Sequence, residues 1–276
     1  MSTQPAAVAP VPRGALSRRV GRGALDWLPA AAVLILGLVL WQATIVIFDV
    51  QHFLAPKPTA IADAFWQHRG EFLRAGWFTF QEALGGWVAG CSLGILAALV
   101  LARWRRLSRA LMPYAIAANA VPIIAFAPIT NAWFTPFGKT SKMAIAAVLC
   151  FFPVFVNTLR GLLSVRPASI ELMRSYAAGQ LEIFRRVRFP TALPFVFTAL
   201  KIATVLSMIG AIVGEYFGGS FDALGVLIQS NVSLFNFALA WAGIVVASAF
   251  GLAFYAAVAV VEHLATGWYP RGFQSD

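Results

Sequence analysis

The sequence predicts an all-α integral membrane protein with about six transmembrane helices, and three observations predict it. Of its 276 residues 60% are hydrophobic and only 12% charged, with a mean hydropathy of +0.77; a soluble domain carries about twice that share of charge. Several stretches are long and nearly free of charge, and a helix needs ~20 apolar residues to cross a hydrocarbon core about 30 Å thick. The Lys and Arg residues gather between alternate stretches instead of spreading evenly along the chain.

Taken in order, residues 1–24 read as a disordered tail, because a segment rich in Pro, Ala and polar groups cannot bury enough apolar surface to fold. Arg18, Arg19 and Arg22 then precede the first apolar run, 28–48. That run is too long for a cleaved signal peptide and reads as a retained signal-anchor. The second span, 77–102, holds one charge, Glu82. The third, 111–133, is uncharged but carries Pro113, Pro122 and Pro128, which predicts kinking or shortening. Spans at 143–159, 192–216 and 237–261 follow, the fifth containing Lys201 and Glu215. The membrane domain is thus 25–270, with a short tail at 271–276.

Cytoplasmic segments retain Lys and Arg. With the N-terminus inside, fifteen basic residues fall on inner segments, five (Lys57, Arg69, Arg74, Lys139, Lys142) on outer ones, and Lys201 within a span. Both termini and the loop between the fourth and fifth spans are therefore expected in the cytoplasm. The net charge of +10 is topological; no basic soluble domain or stacking motif points to nucleic acid.

The segment SIELMRSYAAGQLEIFRRVRFPTALP, starting at Ser169, is patterned too strongly for a plain connector. Ile170, Met173, Ala177, Leu181 and Phe184 recur at spacings of three and four, an apolar stripe on one helix face. Ser169 is placed to cap that helix, Glu171 falls in its first turn, and Gly179 ends or bends it. Such an amphipathic helix either docks in a groove of another protein or lies on anionic lipid headgroups, with Arg185, Arg186 and Arg188 as contacts.

The loop 165–190 resembles the EAA motif of ABC-importer permeases, in which Glu-Ala-Ala is followed by Gly six residues after the Glu and then by an aliphatic-x-Leu-Pro ending. Aligned on that ending, Val187, Arg188, Phe189 and Pro190 take its place and Glu171 falls on the Glu; Leu172 and Met173 replace the alanines, Ala177 the Gly and Phe189 the Leu. FLAPKPTAIADAF, TFQEALGGWVAGCSLGILAAL, MPYAIAANAVPIIAFAPITNAWF and GAIVGEYFGG resemble, in order, segments of the branch that serves nitrate, taurine and other sulfonates, and thiamine-precursor or riboflavin-like compounds. The likeness runs over about residues 28–270.

The resemblance implies a type I ABC-importer permease fold, a multi-pass protein of the bacterial inner membrane whose cytoplasmic coupling helix sits in a groove of an ATP-binding subunit. The residues it places at that contact are Ile170, Glu171, Met173, Arg174, Ala177, Ala178, Gly179, Leu181 and Phe184. It further implies a second permease copy, as a homodimer, and a periplasmic or lipoprotein solute-binding protein. Thiamine precursors, pyrimidines or riboflavin-like heterocycles lead as substrates, ahead of nitrate and sulfonates.

Enzymatic alternatives have little support. Phe137-Gly138-Lys139-Thr140 looks like the end of a P-loop, but Trp133 stands where the first glycine belongs. ATP is thus expected on a partner subunit, and no cofactor on this chain. Cys91 and Cys150 lie within apolar runs, and His52, His68 and His263 are scattered, so neither a catalytic constellation nor a metal site is expected. Lys201 reads as a snorkelling anchor. Glu82 and Glu215, at similar depth near the outer ends of their spans, read either as solvated helix ends or as lining a substrate pathway. Gly85, Gly86, Gly90 and Gly94 read as sites of close helix packing. The competing functional class is a self-sufficient secondary transporter or channel, which calls for inverted repeats and an intramembrane ion site.

Overall fold

Apolar spans become helices because in lipid each backbone N–H and C=O must find its partner within the segment. The computed structural model describes residues 15–51, 55–118 and 122–267, and in them helices predominate. They are α1 (Ala15–Ile47), α2 (Pro58–Leu101), α3 (Arg105–Ala118), α4 (Ala127–Trp133), α5 (Lys139–Leu163), α6 (Pro167–Ser175), α7 (Gln180–Ile183), α8 (Phe189–Tyr216), α9 (Leu224–Ser233) and α10 (Phe237–Ala265). Two compact units divide the chain, Met1–Ala60 and Ile61–Asp276.

In the first unit α1 begins at Ala15, so part of the expected tail is helical; residues 1–14 lie outside the described residues, as does the tail at 271–276. Its spanning part, Leu28–Ile47, matches the expected first run. Val33, Leu34, Ile35 and Leu36 are exposed, which suits a surface whose solvent is hydrocarbon.

Five helices among the described residues are long and apolar enough to cross a membrane. The expected third span is not among them. Pro113, Pro122 and Pro128 each remove a backbone donor, and the chain answers with α3, a 3-10 turn at Ile123–Phe126, and α4, which opens with a proline. Ala115 and Met112 of α3 pack with Leu159 and Leu162, near the end of α5. Asn131 of α4 accepts a hydrogen bond from Ser141 Oγ (2.6 Å), at the start of α5. Where the third span was expected, the chain thus runs in short pieces that contact α5.

The second span is the inner part of a longer helix, since α2 starts at Pro58 and bends at His68 (φ −113°, ψ 17°). Inside the second unit α5 is gripped from two sides. A Cβ on Gly86 would sit 2.4 Å from the Ala146 Cβ, one on Gly90 2.2 Å from the Ala147 carbonyl oxygen, and one on Gly210 of α8 2.8 Å from the Ala146 Cα. Only glycine lets backbones approach so closely, and that approach supplies packing where lipid removes the usual hydrophobic drive between helices. Polar ties reinforce the same contacts: the Trp87 indole donates to the Leu200 carbonyl (3.1 Å) and the Cys150 thiol to that of Ala203 (3.3 Å).

The Lys201 amine pairs with the Glu262 carboxylate, near the end of α10, at 2.5 Å, with about a fifth of each side chain exposed. A cation within a span is stabilised by such an opposite charge.

Candidate functional site

The arginine-rich end carries the patterned loop. Pro167 occupies the first turn of α6 after Arg166, which takes the cap position without a side-chain bond. Ser169 therefore lies inside the helix and does not cap it, and Glu171 sits beyond the first turn, where the dipole argument loses force. The helix ends at Ser175, and Ala177 adopts φ +56°. The Ala177 N–H bonds the Arg174 carbonyl (2.9 Å) and the Ala178 N–H that of Met173 (3.0 Å). This pair of bonds is a Schellman stop, whose left-handed position normally holds glycine.

The alanine at that position costs about 1–2 kcal/mol of local strain. Ala177→Gly is expected to firm the turn, slowing amide hydrogen exchange across Met173–Gly179 roughly fivefold, the equivalent of about 1 kcal/mol. Unchanged or faster exchange would count against the strain.

The single stripe foreseen from Ile170 to Phe184 does not exist, because the stop at Ala177 turns the chain. Ile170, Met173, Ala178 and Phe184 are half-buried, whereas Glu171, Arg174, Ala177, Gly179 and Leu181 are exposed. Absent from the expected contact residues were Ile183, 1% exposed and the deepest anchor of the loop, and two exposed residues about one turn apart, Leu172 on α6 (58%) and Tyr176 at its C-cap (77%). Leu181, past the stop, is exposed as well (70%). The cue was legible, large apolar groups four residues apart in a charged loop.

Beyond Gly179, α7 runs through one π turn, Phe184–Arg188, into α8, so the helix is continuous from Gln180 to Tyr216. The Phe189 N–H bonds the Phe184 carbonyl five residues back, next to Pro190, which has no N–H to offer. Arg186 pairs with Glu182 at 3.2 Å, an exposed contact that contributes little.

At the opposite end, about 30 Å away along α5, Glu82 and Glu215 come together with Lys142, at 1%, 1% and 0% exposure. They are neither solvated helix ends nor open to a pathway in this conformation. Glu215 Oε1 accepts from Thr79 Oγ1 and Oε2 from the Gly225 N–H, both at 2.6 Å; Thr79 Oγ1 accepts from the Leu224 N–H at 2.9 Å. Those two amides open α9, which has no side-chain cap of its own, so Thr79 and Glu215 cap it from two other helices. Lys142 donates to the Pro136 carbonyl, while Glu82 abuts Glu215 with one oxygen unpartnered. The φ of +150° at Gly218 makes the turn that returns the chain after Glu215. Among the described residues no group of three metal-ligating side chains gathers.

Residues 90–266 match the family described as binding-protein-dependent transport system inner membrane component. The riboflavin transport system permease protein RibX of Chloroflexus aurantiacus is 32% identical, over 85% of this chain and 88% of its own. The formylaminopyrimidine transport permease protein ThiX of Halalkalibacterium halodurans is 35% identical, over 64% of this chain and 70% of its own. In the inward-facing MetNI methionine ABC transporter, one chain superposes with a TM-score of 0.56 at 19% identity, covering 73% of this chain and 97% of that one.

Proposed function

The chain belongs to the family of binding-protein-dependent transport system inner membrane components, and from that premise we propose how it works and what it carries. It is a multi-pass permease subunit of an ABC importer, a transporter component with no catalytic role of its own. Its arginine-rich end faces the cytoplasm, with both termini there, as the distribution of basic residues favours. The exposed apolar side chains of Leu172, Tyr176 and Leu181 dock in a groove of an ATP-binding subunit. A second copy completes the pathway and an external binding protein delivers the solute. ATP-driven closure of the ATPase pair then pushes on the loop at Pro167–Arg188, and the π-turn junction passes that push into α8 as a rigid body.

The solute is a riboflavin-like or pyrimidine heterocycle. The observation that carries this choice is that relatives named for riboflavin and formylaminopyrimidine transport are 32% and 35% identical, against 23–26% for relatives named for aliphatic sulfonates, nitrate and taurine. The test is uptake by proteoliposomes holding the chain with its ATPase subunit and binding protein. Riboflavin or formylaminopyrimidine is expected to enter only with ATP and binding protein present. ATP-independent uptake by the chain alone, driven by an ion gradient, would replace the importer reading with a secondary transporter; uptake of nitrate or taurine instead would overturn only the choice of solute.

A further inference from the structure

Two neighbouring cavities share part of their walls at the arginine-rich end, between α2, α5 and the segment that leads into α8. The outer, about 360 Å³, has Arg103 and Arg188 on its wall beside Gln180, with Leu99 and Leu162 deeper in. The inner, about 260 Å³, shares Leu99 and Leu162 with it and continues past Thr158 toward Val196 and Phe197. No acidic side chain lines either, and among the described residues neither arginine forms an ion pair.

The inner cavity has apolar walls, and Thr158, 2% exposed, turns no polar surface into it. Its wall meets that of the outer cavity at Leu99 and Leu162. The arrangement is an apolar recess with two guanidiniums, neither of them in an ion pair among the described residues, on the wall of its outer part.

We propose that this recess holds one anionic phospholipid. Its phosphate sits between Arg103 and Arg188, and an acyl chain fills the apolar cavity between α5 and α8. Guanidinium recognises phosphate through paired, charge-assisted hydrogen bonds, and basic recesses between membrane helices select acidic headgroups. A free phosphate leaves the apolar cavity beside the arginines empty. Because Arg103 follows α2 while Gln180 and Arg188 belong to the segment after the Schellman stop, the bound headgroup ties that segment to the helical body.

The test titrates the delipidated full chain with dioleoyl phosphatidylglycerol and dioleoyl phosphatidylcholine and counts bound lipid by native mass spectrometry. One phosphatidylglycerol is expected to bind with about tenfold preference. The double variant Arg103→Gln, Arg188→Gln is expected to lose the preference while remaining monodisperse, since Arg103 is exposed and Arg188 half-buried. Phosphatidylglycerol with an acyl-chain diazirine is expected to label the peptides around Thr158 and Val196. Equal binding of the two lipids, or a preference that survives the double variant, would overturn the proposal. So would displacement by inorganic phosphate or glycerol 3-phosphate, which would mark a free-anion site, or labelling confined to other peptides. Release of the lipid on adding the ATPase subunit, with position 103 then cross-linking to that subunit, would assign the recess to the protein partner.

Discussion

Replacing Leu172 by Asp together with Tyr176 by Ala is expected to leave the permease inserted and monodisperse but to weaken its association with the ATPase subunit by roughly 100-fold or more. Both side chains are exposed, Leu172 on α6 and Tyr176 at its C-cap, so the free permease loses little by their removal. In the complex each large apolar group that leaves water contributes about 1.5–3 kcal/mol, and an aspartate in the groove adds the cost of a charge without a partner. Pull-down with the ATPase subunit, followed by binding-protein-stimulated ATP hydrolysis in proteoliposomes, measures the effect. Ile170→Ala and Met173→Ala, on the half-buried side, are expected to lower thermal stability more than docking. Wild-type affinity in the Leu172→Asp, Tyr176→Ala chain would place the contact elsewhere on the cytoplasmic face.

Glu215→Ala is expected to destabilise the chain by about 3–5 kcal/mol. The change leaves the Thr79 hydroxyl and the Gly225 amide without their acceptor inside the structure, each worth about 1–3 kcal/mol, and opens a void besides. A drop of roughly 10 °C in melting temperature follows for a chain of this size. Cys91 and Cys150 are both buried and free, so a thiol-reactive fluorophore reports unfolding without any engineered label. Glu215→Gln keeps the shape and one acceptor and is expected to lose about half as much. Thr79→Val removes one donor and one acceptor and is expected to fall between them. A Glu215→Ala chain that melts with the wild type would show that the junction of α2, α8 and α9 does not depend on this cap.

Composition and periodicity made the membrane class legible because the requirement is local: in hydrocarbon a segment must satisfy its own backbone and present apolar side chains. The runs at 28–48, 77–102, 143–159, 192–216 and 237–261 each lie largely within a helix long and apolar enough to cross a membrane for that reason. The prolines of the third run likewise announced its break, although that the pieces meet α5 required their contacts with Leu159 and Ser141. The patterned loop was also visible in the sequence.

What the tertiary structure decided is which faces are spent and which remain free. Helical spacing put Ile170, Met173 and Ala177 on one stripe, but a single left-handed residue at Ala177 ends the helix, and packing turns Ile170 and Met173 inward. The outward apolar pair is Leu172 and Tyr176, and spacing alone cannot choose between two faces that are both partly apolar. In the same way Glu82, Thr79, Lys142 and Glu215 look like isolated polar interruptions along the chain. Thr79 and Glu215 stand 136 positions apart, yet their side chains meet at 2.6 Å. Burial and pairing of charge depend on neighbours brought in by other helices, so Lys201 found Glu262 and Glu215 found the amides of α9 only once those helices were packed together.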